Sequence, residues 1–345
     1  MCKARLPQNP IVVTVNKYLQ IERPEVTATG ESRRVGFELE FSGLTLDEIS
    51  AAVAESMQGQ VEPLSRMESI VKVEELGDFK VELDWQLGKV MARYRQQHAG
   101  SPDDEDPLMD WIRDVASEVV PAEVVCPPVA VDKLDCLDVM TETLREAGAV
   151  GTHGAPHYAF GVHINPELPD LEPTTIAAYL KAFCVAQNWL VKTHEVDLTR
   201  RITPYIDLFP AAYVATVLNY DESISLTQLM DDYLRHNPSR NRALDLLPLL
   251  RHLDEDRLVA VIDDDRIKSR PTFHYRLPNC SIEEQGWSLS DSWNLWCVIE
   301  SLAHSPDILQ SMEQQWLDRH HKLIKLDEPS WHKQLDKIRK DLLSE

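Results

Sequence analysis

The chain has 345 residues, 43% hydrophobic and 27% charged, the composition of an ordinary globular protein with room for a large core. Its formal net charge of -22, with no basic stripe, argues against a nucleic-acid-binding surface, and no apolar run approaches a membrane span. The six cysteines form no CxxC pair, and neither GxxxxGK[ST] nor GxGxxG occurs, so a reducing compartment is expected and a P-loop or Rossmann site is not.

Residues 1–32 read as an irregular arm. Its opening, MCKARLPQNPIVVTV, lacks the apolar run of a signal peptide, and a cytoplasmic location is expected. The stretch RRVGFELEF (33–41) follows, where Val35, Phe37, Leu39 and Phe41 alternate with Gly36, Glu38 and Glu40, the period-2 pattern of a strand. TLDEISAAVAESM predicts a helix capped by Thr45, with Glu48 placed for a capping box. Residues 69–74 and 79–84 predict a β-hairpin, and helices are expected over 86–97 and 108–118, separated by the acidic loop AGSPDDEDP.

AEVVCPPV predicts a short strand, and DKLDCLDVMTETLREAG a helix closed by Gly148. PHYAFGVHIN (156–165) is a further strand. A long helix over 173–195 and shorter ones over 210–218, 225–236 and 240–253 form a helical block. RPTFHYRLPN (270–279) returns to the sheet, and helices over 288–303 and 306–340 finish the chain. The expected organisation is an α+β catalytic domain over 33–305, flanked by the arm (1–32) and a long C-terminal helical segment (306–345).

Strand parity concentrates chemistry on one face. Glu38 and Glu40 share it with Lys80, Glu82 and Asp84 of the hairpin, with His157, His163 and Asn165, and with His274 and Arg276. A solvated sheet face favours Thr and Ser, in which these rows are poor. Carboxylates beside Arg and His match the needs of Mg²⁺ and a polyphosphate, since Mg²⁺ takes a few carboxylates plus phosphate oxygens and guanidinium binds phosphoryl groups bidentately. Cys126 reads as a small buried residue, the tryptophans of 287–296 as core, and His320-His321 as surface.

GFELEF (36–41), EVVCPP (123–128), LREAGA (144–149), GVHIN (161–165) and HYRLPN (274–279) fall in an order that resembles the amidoligases. These are ATP-dependent carboxylate–amine ligases distantly similar to glutamine synthetase and glutamate–cysteine ligase. The resemblance spans about residues 34–300 and rests on motif order, each motif being short. It implies a glutamine synthetase-like antiparallel half-barrel, with Glu38, Glu40, Asp84 and Glu123 holding metal around ATP. It also implies His163 and Arg276 at the reacting groups, and Arg201 (or its neighbour Arg200) near the substrate. Asn165 stands where the family has a second histidine and His274 where it has a glutamate, both facing the nucleotide. The implied partners are a small-molecule or peptide carboxylate and an amine. The alternatives are a catalytically silent relative that binds a nucleotide or peptide in the same groove, and a metal-dependent hydrolase, which leaves Arg276 unexplained.

Overall fold

The computed structural model describes residues 18–20, 27, 29–83, 121–152, 160–197, 200, 206–320 and 329–344. The expected helices over 86–97 and 108–118 lie outside the described residues, as do Asp84, His157 and Arg201. The first half of the described chain runs β1 (Arg34–Phe41), α1 (Leu46–Met57), β2 (Gln60–Pro63), β3 (Glu68–Val73), β4 (Gly77–Leu83), β5 (Ala122–Val125), β6 (Val129–Ala130), α2 (Cys136–Ala147) and β7 (Val162–Pro166). The second half runs α3 (Pro173–Thr193), α4 (Ala211–Leu218), α5 (Leu226–His236), β8 (Leu244–Asp245), α6 (Leu247–Leu253), α7 (Glu255–Val259), β9 (His274–Tyr275), α8 (Leu289–Ala303), α9 (Pro306–His320) and α10 (Ser330–Leu342).

The strands form one curved, unclosed antiparallel sheet in the order β2-β3-β4-β5-β1-β7-β9-β8, with β6 extending the pairing of β1, so the protein is α+β. The apolar row of β1, Val35, Phe37, Leu39 and Phe41, is fully buried. The helix α1 begins with the expected capping box: Thr45 N–H donates to Glu48 Oε2 at 2.9 Å and Glu48 N–H to Thr45 Oγ1 at 3.3 Å. It packs on α2, which ends at Gly148 with φ 108°, a left-handed conformation open to glycine at little cost.

At the other end of the sheet, Tyr179 and Phe183 of α3 meet Phe273 and Tyr275, ring centroids 5.5 and 6.1 Å apart. Phe273 and Tyr275 alternate with Thr272, His274 and Arg276, so α3 sits against the apolar face and the polar face is left for a cavity. Among the described residues, no helix is long and apolar enough to cross a membrane.

Three expectations need correction. The helix expected over 240–253 starts only at Leu247, because Leu244 and Asp245 pair with β9 as a strand and the Asp245 carboxylate accepts the Leu247 N–H at 2.9 Å. The helix expected over 306–340 is two helices: Pro329, at ψ 133°, is extended and precedes α10. The strand expected over 270–279 keeps only His274 and Tyr275 in the ladder, with isolated bridges at Thr272 and Asn279, since Pro271 and Pro278 have no N–H to give. The short strand β2 has no counterpart among the expected elements.

Two buried polar contacts tie distant segments together. Arg33, just before β1, donates to Glu300 of α8 at 2.8 and 3.1 Å, and Tyr179 and Trp296 donate to the same carboxylate. In the arm, Tyr18 OH donates to Asp138 Oδ1 at 2.8 Å while Leu19 N–H reaches Asn294 and the Trp293 indole N–H reaches the Leu19 carbonyl.

Burial, reinforced by Asp135 and Asp291, outweighs the Tyr18 hydrogen bond and pushes the Asp138 carboxyl from 3.8 up to about 7. A raised folded pKa contributes stability that is complete below the unfolded value and lost as pH climbs to the folded one. Stability should therefore fall between about pH 4 and pH 7 by at most about 4 kcal/mol from this group. Asp138→Asn should remove that part of the slope; urea unfolding at several pH values checks it, and identical slopes would exclude the effect.

Candidate active site

Register places the polar side chains in rows across the strands. Glu40 lies opposite Glu123 of β5, and Glu123 opposite Glu82 of β4, so three glutamates line up side by side. One row further, Glu38 lies opposite His163 of β7. Gly36 lies opposite Asn165, and His274 opposite Asp245. Parity puts all of them on the face away from the apolar core.

That face forms a cavity of about 190 Å³ whose lining joins two unlike groups, Glu38, Glu40, Glu123 and His163 with Arg240, Arg266, Arg270 and Arg276. The groups touch where Arg270 pairs with Glu38, and Asp245 lies beside Arg276. Glu123 is pushed well above the usual carboxylate range, by burial first and then by Glu38, Glu40 and Glu82. Burial and then the neighbouring Arg276 and Arg266 lower Arg240, which makes no ion pair among the described residues. Glu123 and Arg240 are thus each prepared for a ligand of opposite charge.

Glu38 is 8% exposed, and protein donors take both of its oxygens. Oε2 faces His163 Nδ1 at 3.1 Å; Oε1 accepts from Asn165 Nδ2 and Arg270 Nη1, each at 2.9 Å. Burial raises its carboxyl, but His274, His163 and Arg270 outweigh it and hold the group well below the ordinary range. Asn165 Oδ1 meets His274 Nδ1 at 2.5 Å. Since a carboxylate only accepts, the Asn165 amide must donate to Glu38, its oxygen must face an N–H of His274, and His274 Nε2 is left with a lone pair. That nitrogen is buried and has no hydrogen-bond partner. Burial first and then the neighbouring Arg276, against the pull of Glu38, lower His274 well below its usual value.

Glu40 differs from Glu38. Its Oε2 accepts the Gly161 N–H at 2.8 Å, while Oε1 stands 3.8 Å from His163 Nε2, too far for a hydrogen bond. Glycine at 161 leaves room for the Arg200 guanidinium and Glu40, either of which a Cβ there would displace. Arg200 itself is buried and donates to the carbonyls of Arg276, Leu277 and Pro278, which fixes the chain just after β9.

Two groups of side chains have ligand atoms mutually within 4.8 Å, the spread that one metal ion needs: Glu40, Glu123 and His163, and separately Glu38, His163 and His274. Sequence reasoning named these residues, with Asn165 and Arg276, and the structure brings them together. It missed four. Asp245, whose carboxyl burial raises to about 6 against the pull of Arg276 3.5 Å away, was hidden in an expected helix. Arg240 opens the helix expected over 240–253, and Arg266 sits in a segment without periodicity. Arg270 shares the parity of His274 and Arg276 and was legible in principle.

A family model described as "Putative amidoligase enzyme" matches residues 31–298, and the chain belongs to that family. Among curated proteins, none matches it.

Proposed function

We propose that this protein is an ATP- and Mg²⁺-dependent ligase that joins a carboxylate to an amine through an acyl phosphate. The observation that carries the reading is one cavity lined by carboxylates and imidazoles together with four arginines, in a chain of the amidoligase family. Glu40, Glu123 and His163 fit a divalent cation: their donor atoms cluster, and the repulsion that raises Glu123 is what a cation would relieve. When bound there, Mg²⁺ would neutralise charge on the polyphosphate.

The remaining chemistry belongs to the chain's own groups. Arg276 and Arg240 bind the phosphoryl group in transit from ATP to the substrate carboxylate, their planar forks matching its equatorial oxygens. Asp245, 3.5 Å from Arg276, aims that guanidinium. The amine then attacks the acyl carbon and phosphate leaves. Glu38 holds the His163 ring through Nδ1, which turns Nε2 toward Glu40. No side-chain nucleophile is needed, and Cys126 offers none: it is buried, and burial raises its thiol.

Incubation with ATP, Mg²⁺ and pools of carboxylic acids and amines, with released phosphate as the readout, tests the reading. Phosphate release that requires both an acid and an amine is expected. ATP binding without turnover on broad pools would favour a silent nucleotide- or peptide-binding relative instead.

A further inference from the structure

The two possible ion positions are not equivalent. Around Glu38 every near neighbour presents a hydrogen, not a lone pair. His163 Nδ1 must donate at 3.1 Å because its partner is a carboxylate, and the Asn165 amide and Arg270 donate at 2.9 Å. His274 Nδ1, 3.9 Å from Glu38 Oε1, is the protonated nitrogen of its ring because Asn165 Oδ1 faces it. An ion placed against Glu38 would meet N–H groups on several sides and the guanidinium of Arg270 on another. The Arg270 side chain is 36% exposed, so it reaches in from the cavity rim and is not part of the core.

Around Glu40 the arrangement reverses. The contact to Glu38 takes up His163 Nδ1, and the ring turns its other nitrogen, Nε2, toward Glu40 Oε1 at 3.8 Å. A carboxylate holding one ring nitrogen while the other faces a second carboxylate is the arrangement of a metal-ligating histidine. Glu123 stands opposite Glu40 in the sheet and completes the group.

We infer that each chain binds a single divalent cation, between Glu40, Glu123 and His163, and that Arg270 supplies the second positive charge, at Glu38, where another ion would otherwise sit. The inference rests on the metal-dependent reading above and deepens it. Arg270 is in this account a built-in cation that positions Glu38 and, through it, His163.

Mn²⁺ binding followed by electron paramagnetic resonance, on the whole chain without nucleotide, tests it. The wild type should bind one Mn²⁺ with the six-line spectrum of an isolated ion. Arg270→Ala should bind two, with the broadened signal of neighbouring spins, and added methylguanidinium should return the count to one. Arg270→Lys, which keeps the charge, should stay at one and guards against misreading a folding defect. Two coupled ions in the wild type, or an unchanged count of one in Arg270→Ala with its melting transition intact, would overturn the inference while leaving the ligase reading in place. Failure of the wild type to bind Mn²⁺ at all, with or without ATP, would overturn both.

Discussion

Glu40→Gln should reduce amine-dependent phosphate release by about 10³-fold or more, roughly 4 kcal/mol of transition-state stabilisation, while the fold survives. Glutamine keeps an oxygen to accept the Gly161 N–H, so the local backbone bond at 2.8 Å has a replacement. What it removes is the negative charge beside His163 Nε2 and Glu123. In the ion-free protein that loss relieves repulsion, because Glu40 is one of the groups that drive Glu123 upward. Thermal melts separate the two effects. Saturating Mg²⁺–ATP, at a hundred times its dissociation constant, should stabilise the wild type by about 2.7 kcal/mol and the variant by little. A variant that unfolds, or that gains as much from Mg²⁺–ATP as the wild type, would make Glu40 a structural residue.

Glu300→Ala should produce the largest stability loss, at least about 3–5 kcal/mol, with the cavity untouched in its own residues. Arg33 is 1% exposed, and Glu300 is its ionic partner. Burial works against the charge of Arg33, and Glu300 with Tyr179 more than restores it. Truncation at 300 would leave a buried guanidinium with the Glu167 carbonyl as its acceptor, and would strand the Tyr179 hydroxyl and the Trp296 N–H. Replacing both partners together, Arg33→Met with Glu300→Leu, should recover much of the loss, because the desolvation cost disappears with the charges. Chemical denaturation of the single and double variants decides this; equal losses in both would show that packing, not the ion pair, is at stake.

How far this site could be read from sequence depends on one periodicity. Strand alternation forces Glu38, Glu40, His163, Asn165, His274 and Arg276 onto a common face wherever the segments pair, so their meeting follows from parity and sheet order. Asp245 escaped because ALDLLPLL carries a helical apolar pattern and its strand is two residues long, held by pairing to β9 that no local signal encodes. The division of labour between the two glutamates of GFELEF was not legible either. Both alternate identically, and only partners from distant segments distinguish them, Asn165 and Arg270 at Glu38 and the Gly161 N–H at Glu40. Capping was legible at Thr45 and Gly148, where the cap is set by residues within one turn. The break before α10 was signalled by Pro329 and overlooked in favour of the long charged periodicity.

The position of β1 in the sheet has a consequence for biosynthesis. It is the earliest of the described strands in the chain and one of the most central, lying between β5 and β7, with β9 beyond. Its neighbours are completed only when residues 125, 166 and 275 have been translated. At bacterial or eukaryotic elongation speeds of about 5–20 residues per second, roughly ten to fifty seconds separate the emergence of Glu38 from that of His274 and Arg276. For most of that interval the nascent chain carries the acidic strand without the cavity arginines, which lie at 240, 266, 270 and 276. The cavity is assembled late, by closure of some of the long-range pairings in the molecule, the kind of topology that makes folding slow.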